Sequence, residues 1–200
     1  MARIDGVSPR HARLSERIIF RFARRSLTKL TGRDPERMLE PLLIYALSPG
    51  LMRAYGRLEQ ATGKLRRVDR RLMALAELKA ATMTHCAYCI DIGSQVSRRW
   101  GLSDAEMLAL PAYQTSALFN ELDRLVLDYS VAMTRTPVAV TDELVDRLRR
   151  HLNDRQLVEL THAVAIENLR CRFNHALGIG AAGFSEGMVC ALPETAPSGS

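Results

Sequence analysis

Apolar residues recur at helical spacing along most of the chain, and this periodicity limits the possible fold more than any other feature. Between residues 12 and 30 the apolar side chains are Leu14, Ile18, Phe22 and others, with arginines between them. This spacing is typical of one face of an amphipathic α-helix. No stretch alternates with the period of two that a half-buried strand requires, and the β-branched residues are scattered. The sequence therefore predicts an all-α fold.

Glycine, proline and capping residues divide the pattern into eight or nine helices. The predicted helices span residues 12–30, 34–47, 51–62, 68–83, 86–100, a short segment after residue 102, 116–133, 141–152 and 153–177. Ser103 is followed three residues later by Glu106, and Asn153 by Gln156 in the same way. A polar cap with Glu or Gln at the third position is a typical helix start. Short turns are expected between these helices.

The composition is that of an ordinary globular protein. The chain has 200 residues, of which 47% are hydrophobic and 25% charged. A chain of this length buries roughly 70% of its unfolded surface, so a substantial core is expected. No apolar run approaches the roughly 20 residues of a membrane-spanning helix, and the N-terminus lacks a signal-peptide pattern. These features predict a cytoplasmic location.

The positive charge is confined to the first part of the chain. Residues 1–37 hold ten basic and four acidic residues, whereas the remainder holds 18 of each. A neutral body argues against a nucleic-acid groove in the main domain. The predicted organisation is a basic N-terminal arm at 1–37, a helical domain at 38–190 and a flexible tail at 191–200.

The basic arm has three possible roles. Its Arg-rich amphipathic helix could bind an anionic membrane surface or nucleic acid. It could instead pack its apolar side on a neighbouring subunit and leave its arginines in solvent. We expect this last arrangement, with no nucleic-acid partner.

Two cysteines spaced three apart, Cys86 and Cys89, stand in the segment THCAYCIDIGSQ. On a helix, residues at i and i+3 share a face with Cβ atoms about 5–6 Å apart, so these side chains can form a disulfide. Thr84 or His85 could cap the helix and place Cys86 in its first turn. Unpaired N–H groups there favour a thiolate, and CxxC thiols can have a pKa of about 3.5–7.5. This pattern predicts a redox dithiol in which Cys86 attacks and Cys89 resolves.

Two other interpretations of the cysteine pair remain open. The pair could be half of a zinc site, which Cys171, Cys190 or a histidine would have to complete. Both cysteines could also be small apolar residues packed in a core. The chain has no second CxxC, so we predict neither a metal nor a cofactor.

Three residues near the pair are candidate proton carriers, which dithiol chemistry requires. His85 precedes the first cysteine directly, although neighbouring side chains diverge on a helix. Asp91 follows the second cysteine by two residues. Glu77 lies nine residues before the first cysteine, which is half a turn away on one continuous helix. It reaches the dithiol only if the chain breaks near residues 82–85.

The last predicted helix carries further polar residues. His162 lies on its apolar stripe, where a histidine is more often a hydrogen-bonded core or interface residue than a ligand. Cys171 and His175 share a face at i and i+4 spacing. That face could meet the dithiol across the core, or it could be a buried polar patch that holds the helix in place.

The sequence RRLMALAELKAATMTHCAYCIDIGSQVSRRWGLSDAEM resembles the carboxymuconolactone decarboxylase and AhpD-like family. In that family a helix leads into a CxxC segment, followed by a helix start of the form GLSxxE, here Gly101–Met107. LSPGLMRAYGRLE and ENLRCRFNHALGIG are also similar, so the resemblance covers about residues 38–190. It implies an AhpD-like helical bundle that assembles as a homo-oligomer.

The resemblance also implies chemistry. One branch of the family reduces peroxides with its thiols, and another decarboxylates a lactone. Cys86 and Cys89 match the AhpD-like site, whereas its histidine position falls on Gly93 and its glutamate position on Ala74, with Glu77 one turn further on. The implied reaction partner is a small-molecule peroxide or a disulfide partner protein.

Two alternative functions follow from the same comparison. The missing histidine is consistent with a family member that has lost catalysis and acts as an oligomeric scaffold or small-molecule binder. A carboxymuconolactone decarboxylase-type enzyme is the other alternative, although that branch generally lacks the paired cysteines.

Overall fold

The computed structural model describes residues 2–194 and places nine α-helices and no β-strand within them, which confirms the all-α prediction. The helices are α1 (Leu14–Thr31), α2 (Glu40–Tyr45), α3 (Pro49–Thr62), α4 (Arg70–Met83), α5 (Ala87–Arg99), α6 (Asp104–Ala109), α7 (Glu121–Thr134), α8 (Asp142–Arg149) and α9 (Asp154–Leu177). Short 3₁₀ turns precede α2 and follow α6.

Capping residues explain where several helices begin. Ser103 and Glu106 form the expected reciprocal cap of α6. The predicted helix at 116–133 begins later, at Glu121, because Asn120 caps it together with Asp123. The predicted helix at 34–47 is instead a 3₁₀ turn followed by the short α2, which has a proline in its first turn. Proline has no N–H to continue a preceding helix, so it favours a restart there.

Helix α4 lies at the centre of the molecule and packs against α5, α7 and α9. The side chain of Asp69 caps it by accepting a hydrogen bond from the backbone N–H of Arg71 at 2.9 Å. Leu75, Ala76 and Ala80 along it are fully buried. A helix that is apolar on most sides is expected in a core rather than at a surface. The C-terminal end of α4 therefore delivers the cysteine segment into the interior.

Residues 178–194 run back across the helices. The buried ammonium of Lys79 donates to the carbonyl of Leu110 at 3.0 Å and pairs with the carboxylate of Glu194. The ring centre of Tyr113 lies 4.4 Å from the same ammonium. Residues 195–200, which belong to the predicted flexible tail at 191–200, lie outside the described residues.

Helix α1 has an apolar stripe that faces away from the rest of the chain. Phe20 packs inward, whereas Leu14, Ile18 and Phe22 are 74%, 59% and 61% exposed. Such a stripe at i, i+4 and i+8 spacing is typical of a helix that packs on something else. None of the helices within residues 2–194 combines the length and apolar content needed to cross a bilayer.

We expect the outer face of α1 to pack against a second copy of the chain, and Ile18→Asp to weaken that association. Burying a charge in an apolar contact costs about 2 kcal/mol or more, which is roughly a thirtyfold weaker association. Sedimentation velocity over a concentration series measures the change. Val138→Asp is the control because Val138 is 66% exposed outside α1. A wild-type chain that sediments as a monomer, or equal effects of the two variants, would contradict this expectation.

Candidate active site

A sharp turn separates the end of α4 from the start of α5. The sequence analysis required such a break near residues 82–85 if Glu77 was to reach the dithiol. The N–H of His85 donates to the carbonyl of Thr82 at 3.3 Å, and the N–H of Cys86 to the carbonyl of Ala81 at 3.2 Å. These two bonds form a Schellman motif, in which the residue after the cap is left-handed. His85 is that residue, with φ of 56°. The turn reverses the chain and makes Cys86 itself the N-cap of α5, where its sulfur accepts from the N–H of Cys89. The prediction that Thr84 or His85 caps this helix was therefore wrong.

Replacing His85 by glycine should stabilise the protein, because its exposed side chain adopts a backbone conformation that glycine adopts without strain. The expected gain is about 1 kcal/mol in the free energy of unfolding, measured by urea denaturation. Thr84→Gly is the matched control, since Thr84 is helical and should lose at least about 1 kcal/mol. Unchanged thiol chemistry in His85→Gly would remove His85 from the candidate proton carriers; a stability loss would contradict the expected strain.

The two cysteines meet at the start of α5. Their sulfur atoms are 2.6 Å apart, well inside the contact distance of two non-bonded sulfurs. A disulfide needs about 2.05 Å, so the pair can close with little movement. Cys86 is 1% exposed and Cys89 is 3% exposed, yet the flanking residues His85 and Ala87 are both exposed. The dithiol therefore lies just below the surface turn.

Several donors converge on the sulfur of Cys86. The pKa of Cys86 is lowered first by a hydrogen bond from the Cys171 thiol, then by the Cys89 thiol, with further contributions from the Cys89 backbone N–H and Asn174. The backbone N–H lies 3.3 Å from the sulfur and the Asn174 amide 3.7 Å. The pKa of Cys89 is raised by its hydrogen bonds with Cys171 and Cys86 and by burial. This asymmetry favours Cys86 as the thiolate of the pair, as the sequence predicted.

A third cysteine completes the cluster. The sulfurs of Cys86, Cys89 and Cys171 all lie within 4.8 Å of one another. Cys190 lies apart, with its sulfur 3.3 Å from the Ser94 hydroxyl. Three thiolates suit a soft metal, but a structural zinc site needs a fourth ligand. The nearby oxygen that contacts the cluster is Oε1 of Glu167, 3.6 Å from the Cys171 sulfur.

Helix α9 supplies two site residues that the sequence analysis missed, Asn174 and Glu167. Together with Cys171 they follow i−4, i and i+3 spacing, so one face of α9 presents all three to the dithiol. The amide of Asn174 also lies 3.4 Å from the Cys89 sulfur. His175, on the same helix, hydrogen-bonds the carbonyl of Thr84 in the reversing turn. The i, i+4 pair of Cys171 and His175 was the available signal for this face.

Glu77 belongs to a charged network behind the thiols. Its Oε1 lies 3.8 Å from the guanidinium of Arg170, which also pairs with Glu167 at 2.8 Å and with Glu59 at 2.6 Å. Burial is the main cause that raises the pKa of Glu77 to about 7, and the neighbouring Glu167 and Glu59 add to it. The side chain keeps 26% of its surface exposed. Glu77 can therefore exchange protons with solvent near neutral pH.

Asp91 lies in the first two turns of α5, but its carboxylate faces the C-terminal segment. Oδ2 accepts backbone N–H bonds from Ala182, Gly183 and Phe184 at 2.7–3.0 Å, and Oδ1 accepts one from Ser185 at 2.6 Å. A buried carboxylate with four such donors is strongly fixed. This geometry favours a role for Asp91 as an anchor of residues 182–185 over proton transfer to the thiols.

Gly93 stands at the position of the family's histidine, and its neighbours leave little room for a larger side chain. A Cβ on Gly93 would lie 3.2 Å from Cδ1 of Leu78, whose side chain is almost fully buried. A histidine at this position would have to displace that leucine. Ala74, at the position of the usual glutamate, is also buried. The two positions of the family's proton relay therefore hold Gly93 and Ala74, neither of which can carry a proton.

His162 does not join the dithiol. Its Nε2 lies 2.7 Å from the hydroxyl of Thr62, which agrees with a hydrogen-bonded interface residue. It also lines an open groove of about 570 Å³ between α7, α8 and α9, together with Tyr129 and Val158. His162 precedes Cys171 by nine residues, about 13.5 Å along the helix. The groove is therefore separate from the thiol chemistry.

Comparison with known sequences identifies relatives of this chain. Residues 49–127, which include the dithiol, match the sequence pattern of the carboxymuconolactone decarboxylase family. The uncharacterized protein YnjA of Escherichia coli is 38% identical over 128 residues, which cover 64% of this chain and 67% of that protein.

Solved structures share the architecture. The debrominase Bmp8 superposes with a TM-score of 0.72 at 22% identity, covering 86% of this chain and 91% of that chain. An uncharacterized peroxidase-related protein from Ralstonia eutropha, described as an alkylhydroperoxidase AhpD core, gives a TM-score of 0.66 at 16% identity, covering 90% of this chain and 92% of that chain. These likenesses establish an AhpD-like fold, and with the sequence matches they show that the chain belongs to the carboxymuconolactone decarboxylase family.

Proposed function

We propose that this protein is a thiol-dependent oxidoreductase in which Cys86 attacks a small peroxide and Cys89 resolves the product. The observation that carries the proposal is the pair of sulfurs 2.6 Å apart at the start of α5. The Cys86 thiolate would displace an alcohol from a hydroperoxide and become a sulfenic acid. The Cys89 thiol then attacks that sulfur, releasing water and leaving a disulfide.

Burial of the dithiol favours a small substrate over a folded partner protein. Both sulfurs are covered in the chain, although the turn above them is exposed. A disulfide of another protein would have to approach a sulfur that has almost no accessible surface. A peroxide needs only a narrow path past the reversing turn at residues 84–85.

Glu77 is the proton carrier that we propose for this chemistry. With a pKa of about 7 it can both accept and donate protons at neutral pH. Arg170 holds the carboxylates of Glu77 and Glu167 in one network beside the sulfur cluster, and Glu167 contacts Cys171. The guanidinium keeps its own protons, so Glu77 would exchange protons with the thiols through solvent at the turn. His85 is exposed above the site and Asp91 is held by backbone donors, so both are weaker candidates.

Reaction of the reduced protein with one equivalent of tert-butyl hydroperoxide tests the proposal. We expect the loss of two thiols per chain and a disulfide between Cys86 and Cys89 in the peptide map. Cys190→Ser should leave this reaction unchanged, whereas Glu77→Gln should slow it. A wild-type protein that keeps all four thiols with peroxide would contradict the proposal.

A second substrate class is a halogenated aromatic ring. A cysteine-to-alanine variant of the debrominase Bmp8 has been solved with 2,3,4-tribromopyrrole, and that fold covers 84% of this chain. The dithiol here lies among buried apolar side chains, so an apolar ring would reach it only if the turn at residues 84–85 opened further than a peroxide requires. Two thiols could supply two electrons, breaking a C–Br bond and forming a C–H bond while the disulfide closes. Bromide release from 2,3,4-tribromopyrrole, measured against Cys86→Ser, separates this activity from peroxide reduction.

A further inference from the structure

The third cysteine of the cluster has no part in a two-thiol reaction, yet its sulfur lies close to both thiols. Cys171 is fully buried and its sulfur lies within 4.8 Å of both other sulfurs. It comes from α9, whereas the dithiol comes from the turn into α5. The fold therefore brings a residue 82 or 85 positions away in sequence into reach of the disulfide.

We propose that Cys171 is a third redox thiol, which attacks the Cys89 sulfur of the Cys86–Cys89 disulfide. A bond forms between the sulfurs of Cys171 and Cys89, the Cys86–Cys89 bond breaks, and the Cys86 thiolate leaves with the electron pair. The proton of Cys171 goes to the carboxylate of Glu167. No further oxidant is consumed, because the step moves a disulfide that the peroxide reaction of the proposed function has already formed.

The position of Glu167 provides the base for this step. Oε1 of Glu167 lies 3.6 Å from the Cys171 sulfur, and its Oε2 is held by Arg170 at 2.8 Å. In the reduced protein the pKa of Cys86 is lowered chiefly by the Cys171 thiol, so a Cys86 thiolate competes with Glu167 for the proton of Cys171. Once Cys86 is part of a disulfide that charge is gone, and the carboxylate is the stronger acceptor left to Cys171. Oxidation of the dithiol thus leaves Glu167, already 3.6 Å from the Cys171 sulfur, as the base for the third thiol.

The surroundings of Cys86 determine which sulfur leaves. In thiol–disulfide exchange the thiol with the lower pKa leaves faster. Cys86 accepts a hydrogen bond from the Cys89 backbone N–H at 3.3 Å, whereas the pKa of Cys89 is raised. The Asn174 amide lies near both sulfurs, at 3.7 Å from Cys86 and 3.4 Å from Cys89, so it does not distinguish them. Exchange therefore regenerates the attacking thiolate and stores the disulfide deeper, between α5 and α9.

Peptide mapping of the oxidised protein distinguishes the two disulfides. The Cys86–Cys89 bond closes within one peptide, whereas the Cys89–Cys171 bond joins two peptides. The reduced full chain is treated with one equivalent of tert-butyl hydroperoxide, its free thiols are blocked at successive times, and the digest is analysed by mass spectrometry. We expect the single-peptide disulfide first and the two-peptide disulfide later, the latter absent in Cys171→Ala. Glu167→Gln should slow the second step by about a hundredfold and leave the first nearly unchanged.

Cys86→Ser treated with diamide is a second test, because diamide oxidises thiol pairs without Cys86. We expect the Cys89–Cys171 disulfide in this variant. A wild-type protein that forms the single-peptide disulfide and never the two-peptide one would overturn the role of Cys171 and leave the proposed function standing. Absence of the cross-link in diamide-treated Cys86→Ser would also overturn it. A wild-type protein that stays reduced with peroxide contradicts the proposed function instead.

Discussion

Cys86→Ser should lower the rate of peroxide reduction by at least about a thousandfold, because a serine hydroxyl cannot replace the thiolate as nucleophile. The other residues of the cluster remain in place in this variant, since serine is close to cysteine in size. The measurement is the consumption of tert-butyl hydroperoxide with dithiothreitol as the reductant. The expected order of attack follows from the hydrogen bonds that Cys86 accepts and from the raised pKa of Cys89.

Cys190→Ser is the matched control for this prediction. Cys190 is partly buried and its sulfur contacts Ser94, outside the three-sulfur cluster. Its replacement should change the rate by less than about twofold, since it removes no group from the reacting sulfurs. Peroxide reduction that persists in Cys86→Ser, or that is lost equally in both variants, would refute a nucleophilic role for Cys86.

Arg170→Met should destabilise the protein by about 3–5 kcal/mol at pH 8, because it leaves three carboxylates without their shared cation. Arg170 is the common partner of Glu59, Glu77 and Glu167. Removing one partner of a buried charge network costs more than the network contributes, since the remaining charges stay desolvated. Urea denaturation of the variant and the wild type measures the loss.

The loss in Arg170→Met should shrink at pH 5. In the wild type burial acts to raise the pKa of Glu59, but the Arg170 guanidinium outweighs it and the pKa is lowered. Such a group stabilises the fold above its unfolded pKa and loses that contribution as pH falls. Without Arg170 the carboxyl pKa values rise in the folded state, so the variant gains relative stability at acid pH as those carboxyls protonate.

Arg155→Met is the control for this second prediction, because Arg155 is exposed on the same helix. Its effect should stay within about 0.5 kcal/mol at both pH values. A larger loss at pH 5 than at pH 8, or similar losses in the two variants, would show that the three carboxylates do not depend on Arg170.

Local sequence signals predicted most of the helices and the close approach of Cys86 and Cys89. The break at residues 82–85 could be predicted because two threonines and a possible cap precede Cys86 in the sequence. The caps at Ser103 and Asn153 could also be predicted, since a capping box depends on two residues that are three positions apart in the sequence. The predicted start of α7 at residue 116 was too early. The helix begins at Glu121, because Asn120 and Asp123 form its capping box.

The rest of the site depends on contacts between distant segments. The pair of Cys171 and His175 indicated a polar face of the last helix that could meet the dithiol. Nothing local to Asn174 or Glu167 assigned those two residues to it, so only the packed fold reveals their contacts with the thiols. Asp91 could not be assigned an anchoring role because its four donors come from the loop at residues 182–185. Helical periodicity identifies which face is buried but not which other face it meets.

Titration of the reduced protein by the ultraviolet absorbance of its thiolates tests the central claim most directly, because absorbance reports a buried sulfur without requiring a reagent to reach it. The difference between wild type and Cys86→Ser isolates the thiolate of one residue. We predict that this difference is already present at neutral pH and disappears only in acid, well below the ordinary thiol pKa of about 8.5. A difference that appears only at pH about 8.5 or above would show that Cys86 is an ordinary thiol and would contradict the account.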